Sequence, residues 1–304
     1  MSKTTKEINQ GTINKEYKDR LFIFLFGNEE RKDWTLSLYN AVNGTRHNDT
    51  SDIQFSTADD VLYMGMRNDV SFIILDELNV YEQQSTGNPN MPLRQTQYSC
   101  NQFEKYIKAN KLHKYGKKLI CLPAPRLVTF YNGKDEMDDE TVLYLRDSFP
   151  KGAYADIDAS VRVININYGH SKAILDACEP LKEYSWLVDQ IRKNRNTMEL
   201  EAAVDKAVRD MPQEFVIKHL IDVHRAEVKG MLLTEYNEAE VMELFKEEGR
   251  EEGREEGREE GREEGREEGS QERLLSCAEI VAEKFNMSLD EALKLLETPK
   301  TVTA

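Results

Sequence analysis

The spacing of the apolar residues changes once along the chain, near residue 175, and that change limits the possible folds. Upstream, six short runs have the length or alternation of β-strands: 61–66, 70–75, 80–84, 118–122, 127–131 and 161–167. Downstream of about residue 178 only helical spacing remains, with candidate helices at 181–193, 198–211 and 214–246. The pattern predicts an α/β fold, with a mixed central sheet flanked by helices and an all-helical C-terminal extension.

Helical spacing also occurs among the predicted strands. Residues 15–43 carry apolar clusters at helical intervals, and Gly27 and Gly44 are predicted to end helices there. A further helix is predicted from Leu93 to Asn110, with Pro92 suited to its first turn.

These patterns predict four regions. A strand-bearing domain covers residues 1–175, and a helical region covers 176–245. A charged repeat covers 246–270, and an amphipathic tail of two short helices, broken near Asn286, covers 271–304.

The repeat consists of KEEG followed by five copies of REEG, and it contains no apolar side chain. Its six glycines cost a helix roughly 6 kcal/mol relative to alanine. Five Glu–Arg pairs at i,i+3 return only about 1–2.5 kcal/mol in total. The repeat is therefore expected to form a helix that is stable mainly in association, so that the C-terminal helical region makes a homo-oligomer, in the simplest case a dimer. The alternative is a charged spacer.

Several classes of protein are disfavoured. The longest apolar run, Leu21–Phe26, is too short to span a bilayer, so no membrane partner is expected. The N-terminus lacks the apolar core of a signal peptide, which predicts a cytoplasmic protein. The four cysteines lie far apart without a CxxC pair, so neither a zinc site nor a disulfide framework is indicated.

The net charge of −15 is unfavourable for binding nucleic acid, but the charge is unevenly distributed. Between residues 94 and 126 eight basic residues face a single acid, Glu104, which gives a local charge of about +7. DNA is the polyanion that we expect this segment to bind, and the alternative is a solvated lysine-rich surface. The candidate contacts to the DNA backbone are Arg94, Lys114, Lys117 and Lys118.

The candidate catalytic residues lie on a predicted β-hairpin. With its turn centred on Glu77 and Leu78, residue 71 would face 84 and residue 73 would face 82. Asp69, Glu82 and Gln84 would then share one face, because side chains alternate along a strand. Two carboxylates suit Mg²⁺ or Mn²⁺, which would leave coordination positions open for water and a phosphate oxygen. The spacing alone is weak evidence, and a surface hairpin with solvated polar residues remains the alternative.

Specific stretches of the chain resemble a known family. They are KDRLFIFLFG (18–27), VLYMGMRNDVSFII (61–74), VYEQQSTGNPNMPLR (80–94), FEKYI (103–107), YGKKLICLPAPRLVTFYNG (115–133) and the REEG repeat. They resemble the bacterial Rpn, or recombination-promoting nuclease, family, a transposase-associated group of the PD-(D/E)XK nuclease superfamily. The resemblance covers residues 15–175 and the repeat.

The resemblance implies a restriction-endonuclease-like core and metal-dependent DNA cleavage in recombination or phage defence. Asp69 takes the place of the D in that motif, Glu82 that of the E, and Gln84 stands where the K is usual. Gln84 donates hydrogen bonds but carries no charge, so it would orient the attacking water. Asn68 stands where the motif has Pro. The alternative function is a catalytically weak regulatory oligomer that binds DNA or a partner through a nuclease fold.

Overall fold

The computed structural model describes residues 21–55 and 69–297; for Asp69, part of 238–267 and Glu297 it describes the backbone alone. The strands are β1 (Gln54–Phe55), β2 (Asp69–Ile74), β3 (Glu77–Gln84), β4 (Ala124–Tyr131), β5 (Glu140–Tyr144) and β6 (Ser160–Asn165). The α-helices are α1 (Leu21–Phe26), α2 (Lys32–Asn43), α3 (Met91–Ala109), α4 (Lys172–Ala177), α5 (Glu179–Arg195), α6 (Leu200–Asp210), α7 (Val216–Val223), α8 (Arg225–Phe285) and α9 (Leu289–Glu297).

The six described strands form one mixed sheet in the order β1-β2-β3-β4-β6-β5. The pairs β1/β2, β2/β3 and β5/β6 are antiparallel, whereas β3/β4 and β4/β6 are parallel. The connection from β3 to its parallel neighbour β4 runs through α3, as a parallel pair requires a crossover. The predicted α/β fold with a mixed sheet is confirmed.

Helices cover both faces of the sheet. On one face Phe72, Tyr81 and Phe130 pack in the main core with residues of α1, α2 and the helices from α4 to the start of α8. On the other face Leu78 and Val80 pack against Tyr98 of α3. The helices from α4 to the start of α8 thus share one core with the sheet, which explains why their apolar residues recur at helical spacing.

Most predicted elements of the described region are present. Helices end at Phe26 and Asn43, next to the two glycines expected to end them, and Gly44 adopts φ +66°. The strand expected at 61–66 lies outside the described residues. The strand expected at 118–122 is wrong, because that segment is an exposed loop that pairs with no strand of the described part of the chain. The predicted helix 214–246 is interrupted at His224, between α7 and α8.

The hairpin between β2 and β3 turns at Leu75 and Asp76. Both residues adopt left-handed backbone angles, with φ +50° and +60°, and Ile74 already pairs with Glu77. A two-residue turn with two positive φ values matches the twist of the flanking strands. The turn thus comes earlier than the Glu77–Leu78 turn that the sequence predicted.

Contacts divide the chain into two units, Met1–Glu240 and Val241–Ala304. In the second unit α8 includes the REEG repeat, so the repeat is helical, while the predicted association stays a prediction. The break expected near Asn286 is confirmed, because α8 ends at Phe285 and α9 begins at Leu289. The first of the two short helices predicted for the tail is wrong, because residues 271–285 are the end of the long helix α8. No helix within the described ranges is long and apolar enough to cross a membrane.

The turn geometry generates a stability prediction. Leu75→Asn should raise the free energy of unfolding by about 1 kcal/mol, because left-handed angles cost a Leu roughly that much and Asn tolerates them. Urea unfolding measures the change. Leu93, equally half-exposed but in the right-handed helix α3, is the matched control. Leu93→Asn should lower stability by about 0.5 kcal/mol, and a parallel loss at Leu75 would contradict the turn assignment.

Candidate functional site

The register of the hairpin places Asp69 directly opposite Glu82. The sequence had placed residue 73 opposite Glu82 and residue 71 opposite Gln84, and both pairings are wrong, because the turn lies at Leu75–Asp76. The observed register still puts positions 69, 82 and 84 on one face of the sheet, since the shift is an even number of residues. Facing positions in an antiparallel pair have Cβ atoms about 4.5–5.5 Å apart.

Glu82 is fully buried in the middle of the sheet, between β2 and β4. Its carboxylate accepts a hydrogen bond from the Arg94 guanidinium, with Nη2 to Oε1 at 2.6 Å. Gln84 Nε2 lies 3.4 Å from the same oxygen, at the limit of a hydrogen bond. Burial of a carboxylate in an apolar setting is costly without such partners, so the guanidinium stabilises the charged form.

Arg94 reaches Glu82 from the first turn of α3. Its side chain is 31% exposed, whereas the Glu82 carboxylate that Nη2 contacts is fully buried. Nη2 also lies 3.1 Å from Tyr98 Oη, one helical turn later. Arg94 was predicted from the sequence as a contact to DNA, and the structure places it beside a predicted catalytic residue.

Gln95, which the sequence did not indicate, attaches α3 to the sheet. Its Nε2 donates to the Val128 carbonyl at 3.1 Å and to Thr129 Oγ1 at 3.0 Å. Thr129 is the residue of β4 that pairs with Glu82, so these bonds fix the helix over the site. Gln95 Oε1 is buried and accepts no hydrogen bond from any described residue.

The donors at this position fit a small, hard cation. Asp69 and Glu82 occupy facing positions of the hairpin, and Gln95, whose Nε2 bonds to the β4 residue paired with Glu82, has a buried amide oxygen that is a neutral donor. The described residues contain no group of three or more His, Cys, Asp or Glu suited to a metal. Mg²⁺ commonly binds through only one or two carboxylates together with water and substrate phosphate, so a two-carboxylate set is sufficient.

The face opposite the site carries a buried polar network. Gln83 Nε2 donates to Asn132 Oδ1 at 2.7 Å, and Asn132 Nδ2 donates to Tyr184 Oη at 3.2 Å. Tyr184 Oη in turn lies 3.4 Å from Glu235 Oε1 of α8. The network ties β3 to α5 and α8, so Gln83 has a structural role on the face opposite the site.

The other basic candidates lie away from Glu82. Lys114 pairs with Glu104 at the surface, and this hydrogen bond raises the pKa of the Lys114 ammonium. Lys117 and Lys118 are exposed in the loop between α3 and β4. These lysines therefore belong to a basic surface that continues from α3, and unlike Arg94 they have no recorded contact with Glu82.

A second ion pair on β3 provides a comparison for Arg94 and Glu82. Arg126 Nη2 lies 2.6 Å from Glu77 Oε1, and Tyr39 Oη donates to Glu77 Oε2. Burial, followed by the bond to Glu77, raises the pKa of Tyr39 to about 12. The bond to Glu77 also raises the pKa of the half-exposed Arg126 guanidinium.

Comparison with known proteins adds no assignment. No family model, curated protein or solved structure matches this chain.

The two ion pairs should contribute different amounts to the free energy of unfolding. Arg94→Met should lower the free energy of unfolding by about 3 kcal/mol, because it leaves the fully buried Glu82 carboxylate without its cation. Arg126→Met should cost about 1 kcal/mol or less, because the Arg126 side chain is 56% exposed to water and Glu77 keeps its hydrogen bond from Tyr39. Urea unfolding of both variants measures the difference. Equal losses in the two variants would contradict the buried ion pair.

Proposed function

We propose that the chain is a divalent-metal-dependent DNA endonuclease with a restriction-endonuclease-like core. The observation that carries this proposal is the pairing of Asp69 with Glu82 on one face of the central hairpin, beside the Arg94 guanidinium. The mixed sheet, in which that hairpin is followed by α3 and the parallel strand β4, supports it. So does the resemblance of residues 15–175 to the Rpn nucleases.

Asp69 and Glu82 are the residues that would hold Mg²⁺ or Mn²⁺. When bound, such an ion polarises a phosphate oxygen and lowers the pKa of a coordinated water. Arg94, whose side chain is 31% exposed, supplies a positive charge at the same place, and its guanidinium would bind a phosphate oxygen of the scissile group. Gln84 donates a hydrogen bond without adding charge, which suits orientation of the attacking water.

Protein groups also position the substrate. Gln95 holds α3 against β4, so Arg94 keeps a fixed place above the sheet. Preorganised positive charges of this kind stabilise the negative charge that develops on the phosphoryl oxygens in the transition state. Basic residues between 94 and 126 would bind the DNA backbone, and phosphate contacts carry no base specificity.

One observation favours a second candidate, a DNA- or partner-binding protein without catalysis. The Arg94 guanidinium already neutralises Glu82 at 2.6 Å, so the buried carboxylate is stabilised without a metal ion. In that case the cluster would be structural, and the basic segment alone would act on DNA.

Cleavage of supercoiled plasmid with and without Mg²⁺ separates the two candidates. Asp69→Asn and Glu82→Gln should each lower the Mg²⁺-dependent rate by more than about 100-fold, since changes to groups around a metal's ligands alone cost 10–100-fold. Both substitutions keep the size of the side chain, and circular dichroism checks the fold.

Glu77→Gln is the matched control, because Glu77 is a carboxylate of the same strand that pairs with Arg126 instead. It should cleave at the wild-type rate. No metal-dependent cleavage by the wild-type chain, or full activity of Asp69→Asn, would refute the nuclease proposal.

A further inference from the structure

The loop between α3 and β4, residues 110–123 and here called the basic loop, combines positive charge with exposed apolar side chains. Lys111, Lys117 and Lys118 are exposed in it. Tyr115 is 93% exposed and Leu119 is 87% exposed. Single exposed apolar residues are common on protein surfaces. Here two exposed apolar side chains lie four residues apart among lysines. Solvation of the loop alone does not account for this combination.

A hydrogen-bonded turn presents the Tyr115 ring. Gly116 N donates to the His113 carbonyl at 2.8 Å, which places Lys114 and Tyr115 at the two central positions. Lys114 Nζ contacts Glu104 of α3 at 2.5 Å and lies 5.6 Å from the centre of the Tyr115 ring. The turn is thus attached to α3 through Lys114, while the neighbouring ring projects into solvent.

The basic loop joins the sheet at a defined distance from the candidate site. Ala124, which follows it, pairs with Glu77 at the start of β3. Glu82 lies five residues further along β3, which is about 17 Å at 3.3–3.4 Å per residue.

We propose that the basic loop binds unpaired bases of DNA, with Tyr115 stacking on a base while the neighbouring lysines contact phosphates. Taking DNA as the ligand rests on the proposed function, and the loop adds the substrate class: single-stranded DNA, or DNA with a flap or bubble. Proteins that bind single strands combine a basic surface with aromatic rings in this way.

The exposed ring favours a single strand over a regular duplex. Lysines alone would suffice for duplex phosphates, whereas an aromatic ring reaches a base face only where the stack is open. The net charge of −15 favours a narrow ligand, because a flat anionic membrane would be repelled by the excess of acidic residues that the chain carries outside residues 94–126. A single strand can contact the basic loop alone.

Fluorescence anisotropy of the full chain in EDTA tests this proposal apart from catalysis. The probes are a labelled 20-nucleotide single strand and the duplex of the same sequence. Tyr115→Ala should weaken single-strand binding by about tenfold and change duplex binding little, since stacking on one aromatic ring contributes about that much. Tyr115→Phe keeps the ring and should bind as the wild type does.

Tyr154→Ala is the matched control, because Tyr154 is 88% exposed in a loop with acidic neighbours. It should leave both affinities unchanged. An unchanged single-strand affinity in Tyr115→Ala, an equal loss on both DNAs, or binding only to phosphatidylserine vesicles would overturn the proposal. If Tyr115→Ala loses affinity for the single strand alone and the wild type shows no metal-dependent cleavage, base binding is supported and the nuclease proposal is refuted. If the wild type cleaves DNA but Tyr115→Ala shows no selective loss of single-strand affinity, the nuclease proposal stands and base binding by the loop is refuted.

Discussion

A carboxylate buried in the middle of a sheet needs a positive charge or hydrogen-bond donors beside it, and Glu82 meets that need through Arg94. The ion pair connects the central hairpin to the first turn of α3. Gln95, the next residue, bonds to the strand on the other side of Glu82. The position of α3 over the sheet and the electrostatics of the site therefore depend on the same few contacts.

The same arrangement has a direct bearing on function. A guanidinium 2.6 Å from a buried carboxylate favours the ionised form of that carboxylate, which is the form that a metal ion requires. It also competes with a metal for Glu82 Oε1. A cation and a phosphate arriving together would resolve that competition, because the phosphate offers the guanidinium another oxygen to bind. On the proposed function, metal and DNA thus bind cooperatively.

Much of the fold was predicted from the sequence, because the alternating or helical spacing of apolar residues can be recognised in a single sequence. The β2–β3 hairpin was predicted from its two apolar strands, but the register predicted for it was wrong. Leu75 and Asp76 turn the chain with positive φ values, although a Leu at such a position gives no turn signal. The face shared by residues 69, 82 and 84 was predicted correctly, since an even shift preserves it.

Other features depend on contacts between distant parts of the chain. The Arg94–Glu82 pair joins residues twelve apart through the placement of a helix, and no local pattern encodes it. The apolar residues at 118–122 suggested a strand, yet a strand forms only where a neighbour pairs with it, and there the chain is an exposed loop. The short edge strands β1 and β5 were missed because few of their residues are buried.

The central claim is that Asp69 and Glu82 together bind a divalent cation. Electron paramagnetic resonance with Mn²⁺ measures this binding without reference to cleavage. Asp69→Asn and Glu82→Gln should each raise the Kd for Mn²⁺ by about tenfold or more, since each removes one hard oxygen ligand. Asp139→Asn, in the exposed acidic loop with Glu136 and Asp138, should leave the Kd unchanged. Mn²⁺ binding that persists in Asp69→Asn and Glu82→Gln would contradict the account.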